Sequence, residues 1–278
     1  MSPLELPTTQ TLELACSEGV VTITLARPEV RNAMSAAMVH ELVGVFDAVR
    51  ERRDVRAIVL QGSGGHFCAG GDIKDISAAR SAPFASDDPD PIAVMNRRFG
   101  AALSTFNAAP QAVIAVCEGA VMGGGFGLAC VADVTIAVEG AKFRLPETSL
   151  GITPAQIAPF IVQRVGLTHA RRLAVTGARL DARDAVSLGI AHRYAADSQE
   201  AKLIVTQVIE EVRKCEPHAV AMTKELMLKV GALNLESVLD EAARDFGNAA
   251  RSDAAVEGMT AFMQRRAPSW ATPGEEPA

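Results

Sequence analysis

Cys117-Glu118-Gly119-Ala120-Val121-Met122-Gly123-Gly124-Gly125-Phe126-Gly127-Leu128 is the stretch on which the reading of this chain turns. Five glycines fall between positions 119 and 127, directly after the apolar run 112–116 (Ala-Val-Ile-Ala-Val). An apolar, helix-compatible segment follows over 126–131. A strand that runs into a glycine-rich turn and then a helix start presents backbone N–H groups at the positive end of a helix dipole. Such a turn can hold an anion, or an oxygen that becomes anionic during a reaction. The same glycines also let a helix pack closely on a sheet, and glycine spacing alone does not choose between the two.

A second stretch of the same kind lies upstream. Residues 57–60 (Ala-Ile-Val-Leu) read as a short, fully buried parallel strand. After a loop over 61–65 comes His66-Phe67-Cys68-Ala69-Gly70-Gly71-Asp72, with Asp72 suited to cap a helix beginning near Ile73. Gly70-Gly71 and Gly123-Gly124 therefore both follow buried strands of what would be one parallel sheet. Ligands of such sheets gather beyond the carboxyl ends of the strands, so the two loops are expected to converge.

The remaining chain fits an α/β architecture with a helical tail. Residues 11–14 and 20–25 read as strands around a Ser17-Glu18-Gly19 turn, and Ser35 caps a helix with Met38, Leu42, Val45, Phe46 and Val49 on one face. Residues 78–91, rich in Ala, Ser, Asp and Pro, read as a loop, 95–108 as a helix and 134–138 as a strand. Helices are expected over 154–165, 168–175 and 182–188, ended by Gly166, Gly177 and Gly189, and 199–264 reads as helical throughout. The expected division is a core over 1–200 and a helical region over 201–278.

Composition removes several function classes. A net charge of −6 over 278 residues carries no basic stripe for nucleic acid. The five cysteines are scattered without a Cys-x-x-Cys pair, so neither a metal site nor a disulfide framework is indicated, and reduced thiols are expected. Residues 1–10 hold no apolar signal segment and no apolar run reaches membrane-spanning length, so a cytoplasmic protein with no membrane partner is expected. There is no Gly-x-Ser-x-Gly nucleophile elbow, and no dinucleotide fingerprint between the first strand and helix.

The ordered set Arg27-Pro28, Asn32-Ala33-Met34, residues 55–60, Phe67 to Lys74, Gly119 to Leu128, Ala132-Asp133, Phe143 through Pro146-Glu147 to Leu150-Gly151, Thr176-Gly177, Leu188-Gly189 and Glu257 to Phe262 resembles the crotonase (enoyl-CoA hydratase/isomerase) family over about residues 11–266. The resemblance implies a spiral of ββα units with C-terminal helices that build trimers, often paired as hexamers. It implies an acyl-CoA substrate and no further cofactor. It also implies that the amides of Gly71 and Gly124 hydrogen-bond the thioester oxygen, with Ala69, Asp72, Ile73 and Gly127 lining the site. Arg31 falls where the family places the CoA nucleotide, and Phe262 and Arg265 fall at positions that reach CoA from a neighbouring subunit.

Two departures stand out. Family hydratases commonly use two glutamates; the Pro-Glu step supplies Glu147, but Gly127 occupies the other position. One carboxyl can serve both proton transfers through the same water, and loss of the side chain at Gly127 is expected to make room for a branched substrate. After Gly151, most simple hydratases carry a Pro-Gly-x-Gly-Gly-Thr-Gln-Arg-Leu run. This chain instead has Ile152-Thr153-Pro154-Ala155-Gln156-Ile157-Ala158-Pro159-Phe160. That run looks like hydratases of 3-branched glutaconyl-CoA thioesters, of the methylglutaconyl and more closely the isohexenylglutaconyl type. Isomerisation of an enoyl-CoA and non-catalytic acyl-CoA binding are the alternatives. His66, Asp72 and Asp133 read as loop or cap residues that are also titratable. Arg144 reads either as a partner for a substrate carboxylate or as a surface ion pair.

Overall fold

Every residue of the strand Ala112–Cys117 is buried, a pattern that requires cover on both faces of its sheet. The computed structural model, which describes residues 4–85 and 87–271, supplies that cover with a spiral. The chain opens with a hairpin of β1 (Leu12–Ser17) and β2 (Val20–Leu25), antiparallel, with Leu12 opposite Leu25. Its turn residues Glu18 and Gly19 both have positive φ, 49° and 72°, the type I′ signature of two-residue hairpins.

Each later turn of the spiral repeats one pattern: a long buried strand, a short crossing strand, and a helix. The first runs β2, a single bridge residue at Met34, then α1 (Ala36–Val49). The second runs β3 (Ala57–Gly62), bridge residues Cys68 and Gly71, then α2 (Ile73–Ser81) and α3 (Pro91–Asn107). The third runs β4 (Ala112–Cys117), β5 (Ala120–Met122) and α4 (Gly124–Val131). The fourth runs β6 (Val134–Val138), β7 (Lys142–Arg144), a 3-10 turn over Glu147–Leu150, and α5 (Ala158–Thr176), which breaks at Gly166.

β8 (Arg179–Leu180), α6 (Ala182–Ser187) and β9 (Arg193–Ala195) close the spiral. The large sheet has the order β1-β2-β3-β4-β6-β9, parallel from β2 onward; the small one has the order β5-β7-β8. The bridges Met34 to Gly71 and Cys68 to Val121 continue that small layer through the first two turns. This is the α/β crotonase fold of ββα units.

The expected elements recur with shifted ends. Ser35 caps α1 by accepting from the Met38 amide, and all five expected apolar residues of that helix are buried. α2 runs on to Ser81, so the Ala/Ser/Asp/Pro loop is shorter than expected. α5 starts at Ala158 rather than 154, because a turn on the Pro154 carbonyl precedes it and Pro159 sits in its first turn.

α7 (Ser198–Arg213) packs on the sheet face opposite the spiral, burying Ala201 and Val208 against Val59, Ile114, Ile136 and Val138. The expected division at residue 200 falls inside this helix. α8 (Pro217–Lys229), α9 (Leu235–Ala250) and α10 (Asp253–Gln264) bury little against the rest of the chain.

Candidate active site

The first glycine loop is fastened from below. Asn32, fully buried with φ 57°, accepts from the Arg27 amide and donates to the carbonyls of Ser63 and His66. Arg27 Nη2 pairs with Asp72 at 2.8 Å while its Nη1 donates to the Ala33 carbonyl. Asp72 also caps α2 through the Lys74 amide. Burial alone would raise the Asp72 carboxyl, but the Lys74 N–H and the Arg27 guanidinium bring it below the ordinary carboxylate range. The Asp72 amide donates to Met34. Asp72 was expected to line the substrate site, but its polar atoms are committed to holding the loop.

The second loop meets the first at its glycines. Gly123, with φ 50°, sits at the N-cap of α4, and Gly124 is the first residue of that helix. A Cβ at Gly70 would stand 3.2 Å from the Met122 carbonyl oxygen and 3.9 Å from Gly123 Cα, so the two backbones are in contact. The flanking amides of Met34, Cys68, Met122 and Gly123 all have backbone acceptors. The amides of Gly71 and Gly124 have none among the described residues. Two acceptor-free N–H groups at converging loops, one of them on the first turn of a helix, form a place for a developing negative charge.

Glu147 stands beside this pair. A Cβ at Gly123 would lie 2.8 Å from Glu147 Oε1, and Oε2 is buried without a hydrogen-bond partner. Burial raises its pKa, only partly opposed by a hydrogen bond to its own backbone. Its turn is anchored by Thr148 Oγ1 to the Ala174 carbonyl and by Ser149 Oγ to the Pro146 carbonyl. Arg144 is engaged rather than free: it donates to the Gly177 carbonyl and to Ser149 Oγ, and no ion pair forms at it among the described residues. The surface ion pair expected of Arg144 is not formed among the described residues; it braces the Glu147 turn.

The space at Gly127 is not open. A Cβ there would stand 2.5 Å from Ile157 Cγ2 and 3.5 Å from Leu103 Cδ1. The expectation that losing the glutamate leaves room for substrate is corrected: Ile157, buried, fills it. On the same face of α4, Gly124 looks toward Met34 and the Phe99 ring, whose nearest atom would be 3.1 Å from a Cβ. These apolar neighbours were missed in the sequence reading. Ile157 lies in the very run that departs from simple hydratases, which is the signal that would have found it.

The family profile of enoyl-CoA hydratase/isomerase matches residues 15–273. The chain belongs to the enoyl-CoA hydratase/isomerase family. The substrates of this family are acyl-CoA thioesters. The chain is similar to the solved structure of AtuE from Pseudomonas aeruginosa, at 52% identity and a TM-score of 0.91 over 95% of this chain and 100% of that one. It is equally similar in fold to an enoyl-CoA hydratase/isomerase from Marinobacter aquaeolei, at 50% identity and TM-score 0.91, covering 94% and 99% of the two chains. Among curated relatives, enoyl-CoA hydratase ACTT6 of Alternaria alternata is 32% identical over 84% of this chain and 74% of its own length.

The other residues expected from the family resemblance are largely exposed. Ala69 is half-buried with its amide on the Arg31 carbonyl, and Ile73 opens α2 with 78% of its surface exposed. Arg31 is exposed with φ 52°. Phe262 is 86% exposed, and Arg265 is the left-handed cap of α10. His66 accepts from the Ala120 amide through Nδ1, and Asp133 takes the Val113 amide and Lys224; both are structural. Among the described residues no helix is long and apolar enough to cross a membrane.

Proposed function

We propose that this protein is a hydratase, a lyase that adds water across the α,β-double bond of an enoyl-CoA thioester. The observation that carries the reading is Glu147: a half-buried residue with a raised pKa, its Oε2 buried and unpartnered, beside two acceptor-free backbone amides. Gly71 and Gly124 N–H take the thioester oxygen. As the carboxylate of Glu147 accepts a proton from water, the water oxygen bonds to the β-carbon and charge moves onto the held oxygen. The enolate then takes that proton back from Glu147 at Cα, and the thioester carbonyl re-forms. Preformed amides aimed at such an oxygen are worth about 2.7–4 kcal/mol each.

The substrate in this reading is a 3-branched glutaconyl-CoA, of the isohexenylglutaconyl or methylglutaconyl type. The run 152–160 resembles hydratases of that kind, and it is this run that occupies the place of the second glutamate. Arg31 and Ile73 would meet CoA. α8 to α10 would assemble a trimer or a dimer of trimers in which Phe262 and Arg265 reach a neighbour's CoA. The cytoplasm is the compartment proposed.

Turnover of crotonyl-, 3-methylglutaconyl- and isohexenylglutaconyl-CoA by the purified protein tests the substrate; crotonyl-CoA hydrated much faster than either branched thioester overturns it. The single carboxylate also suits Δ3-Δ2 isomerisation, which needs one group to move a proton from Cα to Cγ. Incorporation of oxygen from heavy-oxygen water separates the two reactions.

A further inference from the structure

Two helix-interior glycines receive the same loop. Ile157 lies on Gly127 of α4, and its neighbour Gln156 lies on Gly100 of α3, where a Cβ would stand 1.9 Å from Gln156 Oε1 and 2.7 Å from Cδ. A buried glycine in mid-helix costs helix stability, and here it admits a carboxamide. Gln156 is half-buried, and among the described residues its side chain makes no hydrogen bond. Asn96 precedes Gly100 by one turn on the same face of α3, is also half-buried, and likewise has no partner. Each of these half-buried amides brings two N–H donors.

Their position relative to the amide pair follows from Phe99. Its ring borders Gly124, and Gly100 is the next residue along α3. An acyl group with its oxygen on Gly71 and Gly124 and its β-carbon facing Glu147 would pass Met34 and Phe99, which border Gly124. Ile157 fills the space at Gly127, so the far end of the group would fall toward Gln156 and Asn96.

We infer that Gln156, aided by Asn96, reads a carboxylate at the distal end of the acyl group by donating hydrogen bonds to it. The inference rests on the glutaconyl-type reading above and adds the residues that recognise the second acid. Amide N–H to carboxylate bonds are charge-assisted. Neutral donors also suit this position better than an arginine. A cation near Glu147 would lower its pKa, whereas burial here holds it up.

The test compares kcat/KM for 3-methylglutaconyl-CoA with that for 3-methylcrotonyl-CoA, which has the same branch and no distal acid. Gln156→Met keeps the shape over Gly100 and removes the donors. It is expected to lower the ratio of the two values about tenfold or more, chiefly through KM for the diacid thioester. Gln156→Glu is expected to lower it further by repulsion. Equilibrium binding of 3-hydroxy-3-methylglutaryl-CoA to both variants supplies a readout independent of turnover, and thermal melts check the fold. A wild-type preference for the diacid that survives unchanged in both variants overturns the role of Gln156 alone. A wild-type protein with no such preference, in turnover or in binding, overturns the glutaconyl reading and this inference together.

Discussion

The carboxylate of Glu147 rests on Gly123, with Oε1 2.8 Å from where a side chain on that glycine would begin. The Gly123 amide donates to the carbonyl of Arg144, three residues before Glu147, and the next amide along is the acceptor-free one of Gly124. One glycine thus fixes the distance between the acid and the place where negative charge would collect.

Gly123→Ala tests that coupling. The positive φ strains any side chain, by about 1–3 kcal/mol, and the new methyl displaces the carboxylate. Steady-state kinetics are expected to show kcat reduced about 10²-fold or more, with urea unfolding shifted to lower concentration. An alanine variant with wild-type kcat would show that Glu147 does not act from this position.

Glu147→Gln separates chemistry from folding. General acid–base catalysis contributes about 10²–10⁴-fold, and turnover is expected to fall by that factor while CoA-ester binding persists. The folded state holds the Glu147 proton to higher pH than the unfolded chain does. Ionisation therefore costs stability as pH rises from the unfolded value, about 4.3, through the raised folded one. The Gln variant escapes that cost, so its melting temperature at pH 7 should equal or exceed that of the wild type. The wild-type acid limb of kcat/KM should lie above the ordinary carboxylate range.

Much of this was legible in the sequence, because strands and caps are written locally. The apolar run 112–116, the capping Ser35 and Asp72, and the positive-φ glycines at 70 and 123 each specify their own backbone. The convergence of the two glycine loops followed from sheet topology. What was not legible depends on side chains meeting from distant segments. Ile157 reaches Gly127 across 30 positions, and nothing near Gly127 indicates that its missing side chain is replaced by a neighbour's. Arg144 looks like a free cation until Gly177 and Ser149 are brought to it.

Gly127→Glu, which supplies the second glutamate that the family resemblance implies, is therefore not expected to add a second catalytic acid. Its Cβ would overlap Ile157 Cγ2 at 2.5 Å, and overpacking of this kind costs about 1–3 kcal/mol. The single variant should melt lower and lose activity. Gly127→Glu combined with Ile157→Ala should recover much of the melting temperature. Equal destabilisation in the single and double variants would mean that Ile157 is not what fills the space.

Arg27→Met probes the brace under Gly71. It removes the partner of Asp72, whose side chain is only 9% exposed, and a hydrogen bond to Ala33. A loss of about 1–3 kcal/mol at pH 7 is expected from denaturant titration. Because the Asp72 carboxyl is held below its ordinary value, its contribution is full above the unfolded value near 3.9. It is lost as pH falls through the folded one. The difference between wild type and variant should accordingly shrink in titrations repeated toward pH 3.5.

The exposed apolar residues of the last helices distinguish assembly from ligand contact. On α9, Leu235, Leu239 and Phe246 are 67%, 52% and 76% exposed, and on α10 Phe262 is 86% exposed. Apolar surface gathered in this way marks an interaction face, and light scattering of the purified protein is expected to give three or six chains. Phe246→Asp puts a charge on that face and should yield smaller species. Phe262→Ala should leave the assembly intact but raise KM for every acyl-CoA if, as proposed above, its ring meets CoA rather than the acyl group. A variant at Phe262 that changes only the oligomeric state would move that residue from the ligand to the interface.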